Sequence, residues 1–122
     1  MKIPTIFVDE HGHSYFDESD LVQTGDPERR ISAKNQDVLF WQMRQIEPGY
    51  VNDFRTTEAA QFVAVKSGQV SLTVSSGETR HFARGDMFLL KDQKGQGHIT
   101  RAEGFESCIM LVISLPGSGD FN

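Results

Sequence analysis

The chain has a single cysteine, Cys108, among its 122 residues, so no disulfide can form within it. Long apolar runs are also missing. The longest, Cys108 to Ile113, is six residues, whereas a membrane-spanning helix needs about twenty. The opening Met1-Lys2-Ile3-Pro4-Thr5 lacks the apolar stretch of a signal peptide. A soluble, cytoplasmic protein with no membrane partner is the expectation. Basic clusters are scarce as well: Arg29-Arg30 is the one adjacent pair among 12 Lys and Arg, and 17 acidic residues bring the formal net charge to -5. A nucleic-acid backbone calls for clustered cations, so nucleic acid is not an expected partner. No apolar pattern of helical period runs beyond two turns, and helix is expected in under about one fifth of the residues, below the usual globular share. Nucleophile elbows, phosphate loops and dinucleotide fingerprints are absent from the sequence.

What the chain does have is apolar residues in short, turn-bounded segments. Hydrophobic residues make up 38% of it, with nine Phe, enough to fold around a core. The length fits one domain, residues 1–122, with a barrel-like core over about 36–116. Ile3 to Asp9 and His13 to Asp17 flank Glu10-His11-Gly12 and predict an N-terminal β-hairpin. Residues 20–37 are polar and carry Gly25-Asp26-Pro27, predicting a loop or arm, with one helical turn allowed over 17–23. Val38 to Ile46 predicts a strand that stops at Glu47-Pro48-Gly49. Asn52 to Glu58 is polar and predicts a loop. Further strands are expected at Phe62–Val65, Val70–Val74, Thr79–Ala83, Met87–Leu90, His98–Arg101 and Glu106–Leu115. About nine short strands with Gly-rich turns argue for a sandwich or a barrel. Closure is the favoured arrangement because it removes exposed edges.

The stretch from Pro48 to Leu115 resembles the cupin family, whose first motif is G-x5-H-x-H-x3-E-x6-G and whose second is G-x5-P-x-G-x2-H. Pro48-Gly49 opens the first motif here and Gly68 closes it at the family's spacing. Arg55 and Thr57 stand where the two His belong, and Gln61 where the Glu belongs. Gly85-Asp86 opens the second motif, which lacks its Pro and reaches Gly97-His98 two residues late. The resemblance implies an all-β, RmlC-like cupin β-barrel, a double-stranded β-helix or jelly roll, around a ligand pocket. It also implies homodimers, since small cupins commonly pair. The Ile3-to-Asp17 hairpin would cross onto a partner barrel or cap its own.

Family metal sites use two His and a Glu from the first motif and one His from the second, a set suited to divalent Fe, Mn, Ni or Zn. Arg55 is permanently cationic and cannot ligate. Thr57 is a weak neutral ligand, and Gln61 offers only a carbonyl oxygen. No metal and no other cofactor is expected; any metal would rely on His98 and Gln61. Turned inward, Arg55, Gln61 and His98 suit a small molecule bearing a carboxylate or phosphate. Turned outward, Arg55 would meet only water. Trp41 is either core or pocket wall. His11-Gly12-His13 lies too far before the first motif to be its H-x-H. His81 is expected on the surface, and Cys108 as a buried, inert thiol. Binding of a small organic anion without a firm metal is the first functional expectation. A cupin enzyme is the alternative, either a non-metal epimerase, cyclase or isomerase using His98 as acid or base, or a metal-dependent oxygenase with an unusual ligand set. The sequence leaves open whether the chain is an enzyme, and fold alone cannot decide it.

Overall fold

A computed structural model of the chain describes residues 1–21 and 24–119. Twelve strands run through these residues: β1 (Lys2–Val8), β2 (Ser14–Asp20), β3 (Thr24–Asp26), β4 (Ile31–Ala33), β5 (Phe40–Ile46), β6 (Val51–Arg55), β7 (Ala60–Ser67), β8 (Gln69–Val74), β9 (Thr79–Ala83), β10 (Met87–Leu90), β11 (His98–Glu103) and β12 (Cys108–Leu115). No described residue is helical, so none belongs to a helix long and apolar enough to cross a bilayer.

The strands form a six-stranded sheet in the order β2-β1-β10-β7-β12-β5 and a four-stranded sheet in the order β6-β11-β8-β9. The expected all-β architecture of two facing sheets holds, but closure into a barrel does not: among the described residues no backbone ladder joins the two sheets, which pack around a shared core. On the β2 and β9 side, the Arg80 guanidinium sits 4.6 Å above the Phe16 ring and bridges the layers. On the β5 and β6 side the seam is open.

Between the layers lies the main core, to which both sheets contribute: Val63, Val112 and Phe88 from one, and Val70, Leu72 and Phe82 from the other. Each residue next to these in sequence points the opposite way, as a pleated strand requires. Thus Phe62, Leu89 and Ile113 belong to a second, smaller cluster with Ile3, Ala60 and Leu115. β12 is apolar on both faces, which explains its unbroken run of hydrophobic residues. Cys108 at its start is fully buried, and burial pushes its thiol above the usual range.

The N-terminal hairpin forms as its sequence predicts. β1 pairs antiparallel with β2, and β1 also pairs in parallel with β10 of the same chain, Thr5 opposite Leu89. The hairpin therefore extends its own sheet. The helical turn allowed over 17–23 does not form over the described part, because β2 continues to Asp20; Val22 and Gln23 lie outside the described residues. Within the polar 20–37 segment, β3 and β4 make a small hairpin that hydrogen-bonds to neither main sheet. The polar segment at 52–58 contains β6, a strand where a loop was expected. β6 is an edge strand held by β11 alone, so its outer residues stay wet and its sequence reads as loop.

Candidate functional site

A cavity of about 560 Å³ lies between the two sheets. Its floor is apolar, with Val63, Leu72, Phe88, Leu90 and Met110. Five strands contribute polar groups. β6 and β11 supply Arg55 and His98, which are register partners in the antiparallel ladder and stand side by side. One pair further on, Thr100 faces Asn52, and the register slips between the two pairs. From the opposite sheet come Gln42 and Arg44 of β5, Gln61 of β7 and Ser114 of β12. Arg44 Nε donates to Gln42 Oε1 at 2.9 Å, which fixes that guanidinium along the wall. The exposed lining residues Leu39, Phe40, Arg55 and Glu58 mark the mouth.

His98 is held more firmly than any other polar group in the cavity. Its ring is 7% exposed, and Nδ1 lies 2.6 Å from Oδ2 of Asp92, which is fully buried. Asp92 sits in the loop after β10, and its backbone carbonyl accepts from the Thr57 amide at 3.2 Å. Two further devices set the position of His98. Ser14 Oγ donates to the Gly97 carbonyl at 2.6 Å. Gly97 itself has φ +75°, and a Cβ there would stand 2.2 Å from the Arg55 carbonyl carbon and 2.6 Å from the Thr56 nitrogen. Only glycine allows that approach, so the His98 loop and the Arg55 strand end meet backbone to backbone. With Nδ1 engaged by Asp92, Nε2 is the ring nitrogen left for a bound molecule, the usual consequence of an orienting carboxylate.

No protein-family model matches the chain, and no curated protein matches it in sequence. Solved structures do match it. A cupin domain from Bordetella pertussis Tohama I is 14% identical, with 95% of this chain and 94% of that one covered and a TM-score of 0.50. A candidate ethanolamine utilization protein Q from Salmonella typhimurium LT2 is 14% identical, with 95% and 96% covered and a TM-score of 0.51. The chain has the cupin fold. At such identity the likeness carries the architecture alone.

The metal centre that the cupin resemblance brings with it does not fit these residues. Arg55 occupies one ligand position with a fixed positive charge. Thr57 Oγ1 is committed to the Ala59 carbonyl at 2.6 Å. Gln61 brings no charge, and His98, with Nδ1 on Asp92 and Nε2 left, is a single strong ligand without companions. Among the described residues, no three of His, Cys, Asp and Glu come together as a metal would require.

Of the residues singled out in the sequence, Arg55, Gln61 and His98 all line this cavity. Arg55 is exposed at the mouth and still takes part in the wall, so the inward and outward alternatives coexist at a strand end. Trp41 is corrected. It is neither core nor pocket wall but 66% exposed, on the outer face of β5. The phase of β5 is set by Gln42, Arg44 and Ile46, which point inward, and Trp41 must point the other way. His11, His13 and His81 are exposed. Sequence reasoning missed Asp92, Arg44 and Gln42. Asp92 had one available signal: it is the only acid in the loop that ends at Gly97-His98.

Proposed function

We propose that this cupin binds a small organic anion, a carboxylate or a phosphate ester, in the cavity between its sheets. The observation that carries the proposal is the pairing of Arg55 with His98 across β6 and β11 on the cavity wall, with His98 fixed from behind by Asp92. A guanidinium fork beside an oriented imidazole offers several convergent donors to one anionic group. Arg44 and Gln61 add donors on the facing sheet, and the apolar floor suits a carbon skeleton. The volume lies within the range of about 300–1,000 Å³ typical of small-molecule sites.

The test is a thermal-shift and calorimetry screen of small mono- and dicarboxylates and phosphate esters. Arg55→Ala should weaken binding of any hit roughly tenfold or more, since a hydrogen bond to a charged group contributes about 1.5–3 kcal/mol. Unchanged affinity in Arg55→Ala would remove the basis of the proposal.

A second reading, an enzyme that needs no metal, is favoured by one specific feature, the short Asp92–His98 contact. A buried carboxylate that holds Nδ1 leaves Nε2 positioned to take or give a proton, the arrangement of a general acid–base pair. Proton exchange from the α-carbon of a bound carboxylate into deuterated buffer, lost in His98→Gln while binding persists, would support this reading. Absence of exchange for every bound compound would leave binding alone.

A further inference from the structure

The cavity carries more positive charge than one carboxylate would answer. Of the residues that line it, Arg44 and Arg55 are cationic and Glu58 is the one acid. Glu58 is exposed at the mouth and pairs with neither guanidinium; among the described residues the ion pairs lie elsewhere. Arg80, by contrast, has a carboxylate partner, Glu78, at 2.7 Å. Arg44 is half-buried and makes one hydrogen bond, from Nε to Gln42, which leaves both terminal nitrogens of its fork uncommitted. A guanidinium drawn out of water without a counter-charge is costly, and a bound anion removes that cost.

Strand register sets where the two cations stand. On the cavity face of the six-stranded sheet, the row at the mouth has Ser114 beside Gln61, the next has Val112 beside Val63, and the third has Met110 beside Arg44. Asp92, which holds His98, follows two residues after Leu90, the partner of Gln61. Arg55 and His98 therefore lie level with the first row, and Arg44 stands two rows deeper. Two rows are four residues along a strand, about 13 Å at roughly 3.3 Å per residue, and Arg44 gives back part of that distance by folding toward Gln42. The band between the cations is apolar, with Val112 and Val63 on one wall and Leu72 on the other.

Ser114 is an independent sign of a ligand. Its side chain is 1% exposed and its hydroxyl has no hydrogen-bond partner. Strand alternation turns it into the cavity together with Val112 and Met110. Buried hydroxyls are normally paired. This one is on the sheet facing Arg55 and His98, where a carboxylate oxygen would accept from it.

Resting on the reading that the cavity holds a small anion, we propose that its ligand is an extended dicarboxylate. One carboxylate sits on Arg55, His98 and Ser114, the other on the free edge of Arg44, and the carbon chain crosses the apolar band between them. A compact diacid such as malonate cannot do this, because both of its carboxylates fall on one guanidinium. Arg44 is then the residue that selects diacids over monoacids.

Calorimetry with matched pairs tests this: glutarate with pentanoate, adipate with hexanoate, pimelate with heptanoate, and malonate as the compact diacid. The best of the three longer diacids should bind roughly tenfold or more tighter than its matched monoacid and than malonate, the gain expected of a second charge-assisted contact. Arg44→Gln should bring the ratio of monoacid to diacid Kd below about threefold, whereas Arg55→Ala should weaken both classes. Should Arg44→Gln fail to fold, Arg44→Lys, which keeps the charge and loses the fork, takes its place and should lower the ratio several-fold. A parent that binds diacids no tighter than monoacids overturns the inference and leaves the anion site standing, as does a preference that survives the change at Arg44. A parent that binds phosphate esters and none of these diacids also overturns the inference alone. A parent that binds no acid and no phosphate ester removes the anion reading and the inference together.

Discussion

Oδ2 of Asp92 lies 2.6 Å from Nδ1 of His98, and both side chains are buried, Asp92 fully. The pair spans the loop from the end of β10 to the start of β11, so it ties the two sheets together as well as orienting the ring. Removing one member leaves the other buried without its partner, which costs more than the pair contributes net.

Asp92→Ala should therefore lower stability by about 1.5–3 kcal/mol. At roughly 4 °C per kcal/mol for a domain of this size, the melting temperature should fall by about 6–12 °C. Asp92→Asn should lose less, because it keeps the volume and one acceptor. The double change Asp92→Ala with His98→Ala should fall short of the sum of the single changes, as residues in contact do. Additive losses would show that the two side chains act independently.

Gly97 and Gly85 form a matched pair for a second prediction. Both have positive φ, +75° and +91°, but a Cβ at Gly97 would strike the backbone of Arg55 and Thr56, while one at Gly85 would meet nothing within 4 Å. Gly85→Ala should cost about 1–2 kcal/mol, the left-handed penalty alone. Gly97→Ala should cost more by at least about 1 kcal/mol, because backbone must move as well. It should also weaken any ligand that depends on Arg55. Denaturant melts of the two variants decide it, and equal losses would mean that the close approach is not needed for stability.

Cys108 gives a prediction about pH. Its thiol is buried in apolar surroundings, which raises its pKa in the folded chain. The unfolded chain then loses the proton first, near the ordinary cysteine value of about 8.5. Folded stability is fully present below that pH and declines above it, until the folded thiol also ionises. A thiol reagent at pH 8 should label the native protein very slowly and the unfolded protein at once. Rapid native labelling would show that the start of β12 opens readily.

Several of these features could be read directly from the residues. The strand rhythm predicted an all-β chain, and the cupin resemblance pointed to Arg55, Thr57, Gln61 and His98 as neighbours, all of which line the cavity. The pairing of Arg55 with His98 follows the family's spacing despite the loss of its ligands, because it depends on strand register rather than on side-chain identity. Trp41 was misread for a physical reason. In an ordinary amphipathic strand the aromatic residue faces the core, but β5 borders a polar cavity and so turns Gln42 and Arg44 inward and Trp41 outward. β6 was missed because an edge strand has one hydrogen-bonding neighbour and needs no apolar alternation. Asp92 was missed because its contact with His98 crosses a turn, and a turn of that kind has no period to detect.

The parallel pairing of β1 with β10 joins the two most distant parts of the main ladder, Thr5 with Leu89 and Ile6 with Leu90. During synthesis β1 and β2 emerge together, but an isolated hairpin is marginal in water, and the strand it docks on, β10, follows only some eighty residues later. Loop closure of that length slows folding, and until it occurs Met87-Phe88-Leu89-Leu90 is an open apolar edge of a half-built sheet. The parallel β1–β10 pairing is therefore the closure that removes this edge, and slower capture would leave it open longer to pairing with other chains.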